Sequence, residues 1–198
     1  MSMIIEPVAT TRPISIAPFM VKPIADGVMR RLVVPAAVMG PRPTEIDALW
    51  VREGFTVLGK QPSGPNISIR YAGHLPRVNV PWPRARKKLA AGVRDAGAMP
   101  VTMSRTTLLL DEVRICALDE VTQDEALTAG LTGGADGYGV IGYPFLMPFN
   151  GSTPALHWLL SELYGRDREV ARSDPMAVIS FRSLSRNISL LAVGEVGA

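Results

Sequence analysis

The sequence predicts an α+β fold in which short strands form a small barrel or mixed sheet and the helices are few and brief. Three observations lead there. Seventeen prolines and 18 glycines among 198 residues cut the chain into short elements, because proline lacks an amide donor and glycine loosens any element that contains it. Several stretches alternate apolar and polar residues with the two-residue period of a half-buried strand. Only three stretches show helical spacing. A single domain spanning 1–198 is expected from the length, and 47% hydrophobic with 20% charged residues is ordinary globular composition.

The elements follow in chain order. Residues 1–46 hold short apolar pieces, "PISIAPFM" and "LVVPAAVM", suited to strands or single turns, with Pro23 opposing a helix interior. "DALWVREGF" (47–55) and "NISIRYA" (66–72) alternate as strands, and the turn residues of "LGKQPSGP" between them predict a looped antiparallel pair. "PRARKKLAAGVRDAG" (83–97) begins with proline, ends with glycine and places Ala85, Leu89, Val93 and Ala96 on one face, which predicts a helix with a basic outer side.

"SRTTLLLDEVRICAL" (104–118) reads as one long strand or two with a bulge. Val113, Ile115 and Ala117 should share one face, with Arg114 and Cys116 on the other. "TQDEALTAG" (122–130) has Thr122 and Glu125 at capping-box spacing and Gly130 as terminator, so a short helix is expected. The Gly-rich stretch 131–152 is expected to be a long surface loop. It matches neither a phosphate loop nor a dinucleotide fingerprint, and no cofactor is expected. "TPALHWLLSELYG" (153–165) is amphipathic, and "MAVISFRSL" (176–184) reads as a buried strand. No internal repeat is present.

Cys116 is the only cysteine, which excludes an intrachain disulfide and a cysteine metal cluster and fits a reducing, cytoplasmic setting. "RRLVVPAAVMG" imitates a signal peptide but begins near residue 30 and contains Pro35. No apolar run approaches the ~18 residues that span a bilayer, so no membrane role is expected. The net charge is only +3, but its distribution is uneven. Between Val57 and Leu110 nine Lys/Arg face the single acid Asp95, whereas from Asp111 to Glu125 six acids face only Arg114. A polyanion would meet the first region and avoid the second.

Catalytic chemistry finds little support in the residues. His74 and His157 are the only histidines, too far apart in sequence to suggest a metal site, and no G-x-S-x-G elbow accompanies them. Glu125 is a candidate general base, yet its place in the capping box already gives its carboxylate a structural task. Arg84, Lys87 and Lys88 on the expected basic helix can track phosphates, or simply face water. Trp50, Tyr71 and Trp82 can stack on bases, although aromatic residues in strands more often fill a core.

"PISIAPFMVKPIADG" with "RRLVVP", "DALWVREGF", "MPVTMSRTTLLLDEVRICALDEVTQDEALTAGL", "LLSELYG" and "DPMAVISFR" together resemble the ASCH family, and within it the ASCH-like proteins of bacteriophages and prophages. The resemblance runs from about Pro13 to Arg182. It implies a small PUA-like β-barrel with short helices packed around it and a cleft that accepts RNA or a modified nucleoside. Some members hydrolyse acylated cytidine nucleosides or cleave RNA. Their reactive lysine and threonine fall in a Gly-Arg-Lys-Thr-x-Thr-Arg-Arg-like run, where this chain has Gly27-Val28-Met29-Arg30-Arg31.

The glycine and the arginine pair match while the reactive groups are absent. Val28 and Met29 can neither exchange a proton nor attack a carbonyl. What remains suits anions: Arg30, Arg31, Arg52 and Arg105, joined by Arg84, Lys87 and Lys88 on a segment that looks like an insertion near 83–97. The expected function is binding of RNA or another nucleic acid without catalysis. Two alternatives are an amidohydrolase or nuclease using Glu125 and Lys22, and a protein-interaction module that presents 131–152.

Overall fold

The computed structural model describes residues 10–59, 64–72, 76–84, 87–134, 136–143, 148–164 and 170–188. The first elements are β1 (Thr11–Ser15), α1 (Pro18–Ala25), β2 (Arg31–Pro35), α2 (Ala36–Met39), β3 (Ala48–Arg52), β4 (Phe55–Val57), β5 (Asn66–Tyr71), β6 (Val78–Pro81) and β7 (Gly92–Arg94). Next come β8 (Thr107–Ala117), α3 (Gln123–Thr128), β9 (Leu131–Gly134), β10 (Gly137–Val140), α4 (Ser152–Tyr164) and β11 (Pro175–Leu184). The class is α+β, dominated by strands. Among the described residues no helix is long and apolar enough to cross a membrane.

The chain forms two compact units: Met1–Val21 with Asp47–Leu108 and Leu184–Ala198, and Lys22–Ile46 with Leu109–Ser183. In the first unit β1 runs parallel to β3, Thr11 opposite Ala48. A four-stranded antiparallel sheet has the order β6-β5-β4-β7, with Phe55 opposite both Tyr71 and Arg94. Alternation buries Phe55, Val57, Ile67 and Ile69 in one cluster with Tyr71, Trp82, Met99 and Met103. Tyr71 and Trp82 are therefore core residues. The Tyr71 hydroxyl donates to the Met103 carbonyl at 2.6 Å.

In the second unit β8, β11 and β2 are successive neighbours, and β11 pairs antiparallel with β2, Val178 opposite Val33 and Ser180 opposite Arg31. The helix α4 turns Ala155, Leu156, Leu159 and Leu160 inward and packs on α3, β9 and β10. Trp158 meets Tyr143 edge-on, ring centres 5.0 Å apart.

Among the described residues the expected barrel does not close: these sheets are open, ending on β6 and β7 in the first unit and on β2 in the second. Pro81 on β6 lacks an amide donor and β7 has only three residues, features that blunt an edge against further pairing.

Three local expectations are corrected. The helix expected over 83–97 is replaced by irregular chain at 87–90 and by β7. Gly92 has φ +134°, which no right-handed helix contains; Leu89 packs on the core of the first unit while Val93 is 77% exposed, so the expected apolar face is split. Within 131–152 the chain makes the β9–β10 hairpin rather than a loop; residues 135 and 144–147 lie outside the described set. A Cβ on Gly137 would lie 2.7 Å from the Phe149 carbonyl and one on Gly139 2.7 Å from the Thr132 hydroxyl, so bare glycine is what lets these backbones approach.

Pro23 does lie inside α1. Its missing amide costs the last turn one bond, and its carbonyl accepts from the Val28 and Met29 amides. On β8, Ile115 and Cys116 face opposite ways as expected, and it is Cys116 that meets the core at this end of the strand while Ile115 is 43% exposed.

Candidate functional site

The second unit holds a cavity of about 560 Å³ lined by Met29, Arg30, Arg31, Asp111, Asp124, Thr128, Ser180 and Arg182, with Gly27, Phe181 and Ser183 completing its wall. Its first side is the turn that follows α1. The Asp26 amide bonds the Lys22 carbonyl and the Gly27 amide the Ile24 carbonyl, and Gly27 takes φ +70°, open to glycine at little cost. Met29, 1% exposed, anchors the turn in the core while Val28 stays in water. Arg30 is then held at both backbone ends: its amide donates to the Thr128 carbonyl at 3.1 Å and its carbonyl accepts from the Phe181 amide at 3.1 Å.

The two arginines differ in what their side chains touch. Arg31 Nε donates to Ser180 Oγ (3.3 Å), and its Nη1 donates to Asp124 Oδ2 (2.6 Å) and Thr128 Oγ1 (2.9 Å). Arg30 Nε donates to the Gly27 carbonyl at 3.1 Å. Its terminal nitrogens face no carboxylate among the described residues. On the neighbouring strand β11, Arg182 Nε donates to Asp111 Oδ1 at 2.9 Å. Ser180 and Arg182, two apart on β11, share a face by strand periodicity.

Arg31 and Arg182 thus each meet one carboxylate, whereas Arg30, exposed at the cavity, leaves its outer edge unpaired among the described residues. Guanidinium edges match the geometry of phosphate and carboxylate oxygens and stay charged at any working pH. Arg30 is the group in this cavity with the chemistry to meet an anion.

Of the remaining expected residues, Arg52 and Arg105 belong to the first unit. Arg52 lies over the Trp50 ring at 5.9 Å, and its Nε is buried without a hydrogen-bond partner. Arg105 grips Glu53 with two bonds, Nε to Oε1 at 2.9 Å and Nη2 to Oε2 at 2.7 Å, and lies 4.4 Å over the Tyr71 ring. Burial, with a contribution from the Glu53 charge, pushes Tyr71 up to about 12. Arg84, Lys87 and Lys88 are exposed in that first unit, on irregular chain rather than a helix.

The catalytic candidates have other partners. Burial raises the Glu125 carboxyl, but bonds from Arg114 Nη2 (2.8 and 2.7 Å) and from the Thr122 amide (2.8 Å) outweigh it and hold it below its ordinary 4.5. A carboxylate so stabilised is a poor base. Lys22 pairs with Asp26 on the surface. Burial pushes the Cys116 thiol up, away from reactive thiolate. His157 Nε2 lies 2.6 Å from the Val170 carbonyl, and His74 lies outside the described residues.

Sequence reasoning missed Glu53, Asp111, Asp124, Thr128, Ser180 and Arg182. The available signal was the polar pair Ser180 and Arg182 in the otherwise apolar run "AVISFRSL". No protein-family model, no curated protein and no solved structure matches the chain.

Proposed function

We propose that the protein binds nucleic acid, RNA in the first instance, through the arginine-lined cavity of the second unit and does so without catalysis. The observation that carries this reading is Arg30, locked through its backbone and through Nε while its outer guanidinium edge is left to the opening. Phosphate is the anion that such an edge, with the Arg31 and Arg182 charges beside it, suits best. The resemblance to ASCH and PUA-like proteins, with their phage and prophage members and their RNA-accepting cleft, supports the same reading. So does the absence of a lysine and threonine at Val28 and Met29. A cytoplasmic setting belongs to the proposal.

The test is titration of a labelled single-stranded RNA at rising ionic strength. Binding should weaken as salt is added. Arg30→Glu combined with Arg31→Glu should reduce affinity at least about tenfold, the scale of a lost charge-assisted bond. Arg94→Glu should do much less, because that side chain only donates to the nearby Val93 and Ala90 carbonyls. Salt-insensitive binding, or none, would remove the proposal.

A further inference from the structure

Building on the nucleic-acid function proposed above, we infer that the cavity takes one nucleotide unit, a single phosphate together with its sugar and base, rather than tracking a strand along several phosphates. Charge is the first reason. Arg30, Arg31 and Arg182 are opposed inside the same cavity by Asp111 and Asp124, leaving a formal excess of one positive charge. A groove that follows a strand neutralises a phosphate at every step and carries cations without interspersed carboxylates.

Placement is the second reason. Within the second unit the cavity lining itself includes Asp111 and Asp124, two acids of the 111–125 stretch. Its positive field is therefore short in reach.

Size and hydrogen-bond chemistry identify the rest of the ligand. A cavity of about 560 Å³ falls in the roughly 300–1,000 Å³ range of sites that enclose one small molecule. Ionised carboxylates accept and never donate, and Asp124 uses Oδ2 on Arg31 while Asp111 uses Oδ1 on Arg182. Each keeps a second oxygen for a donor. A bare anion meets repulsion from those oxygens, whereas a molecule carrying hydroxyl or amino hydrogens beside its phosphate satisfies them. A nucleotide has both, with the phosphate on Arg30 and its sugar hydroxyls or base amino group toward Asp111 and Asp124.

Calorimetric titration of the intact protein with the four ribonucleoside 5′-monophosphates, the free nucleosides, inorganic phosphate and a single-stranded RNA 12-mer tests this. Expected are binding of at least one monophosphate and, for the 12-mer, a log–log salt slope near the ~0.7 of a single neutralised phosphate. The matching nucleoside and inorganic phosphate should each bind at least about tenfold more weakly. Arg30→Gln should weaken the monophosphate, and Arg182→Gln, on the neighbouring strand β11, supplies a second variant if the first does not fold. A 12-mer that binds while no monophosphate binds or competes overturns the inference and leaves the nucleic-acid function standing. Inorganic phosphate binding as tightly as the nucleotide overturns it as well. Failure of every probe removes both.

Discussion

Arg30 and Arg31 are adjacent in the chain but do different work, and the difference lies in one pleat. Arg31 is tied by Ser180, Asp124 and Thr128 and steadies the cavity wall, whereas Arg30 keeps its outer edge for a ligand. The arginine pair was legible in the sequence; its division of labour was not, because Asp124 and Ser180 lie about 90 and 150 positions away. The same holds for Arg105, expected in an anion site and found instead around Glu53, which is 1% exposed. Replacing Arg105 by Ala leaves that carboxylate buried and unpaired. The expected loss is about 3 kcal/mol, the low end for a broken buried pair because Arg105 itself is 31% exposed. Urea denaturation measures it, and a loss below ~1 kcal/mol would mean that water reaches Glu53.

At the scale of elements, α3 shows a local signal that survives folding intact. Thr122 Oγ1 accepts the Glu125 amide, and the Glu125 carboxylate accepts the Thr122 amide, as the four-residue spacing implied. Such caps form from neighbours in sequence and need no tertiary partner. Thr122→Ala should cost about 1 kcal/mol. Glu125 adds a pH dependence whose sign follows from its lowered pKa. The ionised form favours the fold, so its contribution is complete above the ordinary 4.5 and disappears as pH falls through the folded value. In thermal melts Glu125→Gln should be less stable than wild type at neutral pH, with the gap closing on acidification below about 4.5; a constant gap would argue against this linkage. The segment 83–97 shows the converse, since its helical spacing was real but Leu89 packs on the core while Val93 faces water, and propensity without a shared buried face does not hold a helix.

Across the whole molecule the two units are interleaved in sequence, each assembled from separated segments. Asn187 makes this concrete for the first unit. Its Nδ2 donates to the Val101 carbonyl at 2.7 Å and the Ser104 carbonyl at 2.6 Å, while Thr107 Oγ1 donates to the Arg186 carbonyl at 2.9 Å. Asn187→Ala should destabilise by about 1–3 kcal/mol, the cost of leaving carbonyls without their donor, as read by chemical denaturation. An unchanged midpoint would show that water replaces the amide. What the sequence determined by itself was the α+β class, the strands at 48–52, 66–71, 107–117 and 175–184, the amphipathic helix α4 and the capped helix α3. All of these are written in periodicity or in bonds between near neighbours. Only the tertiary structure decided that the sheets stay open, that glycines 133–139 make a hairpin, and that Arg30, Arg31 and Arg182 meet Asp111 and Asp124 around one cavity. Those outcomes depend on strand pairing and charge partners far apart in the chain, and no local pattern of residues encodes which distant partner will be met.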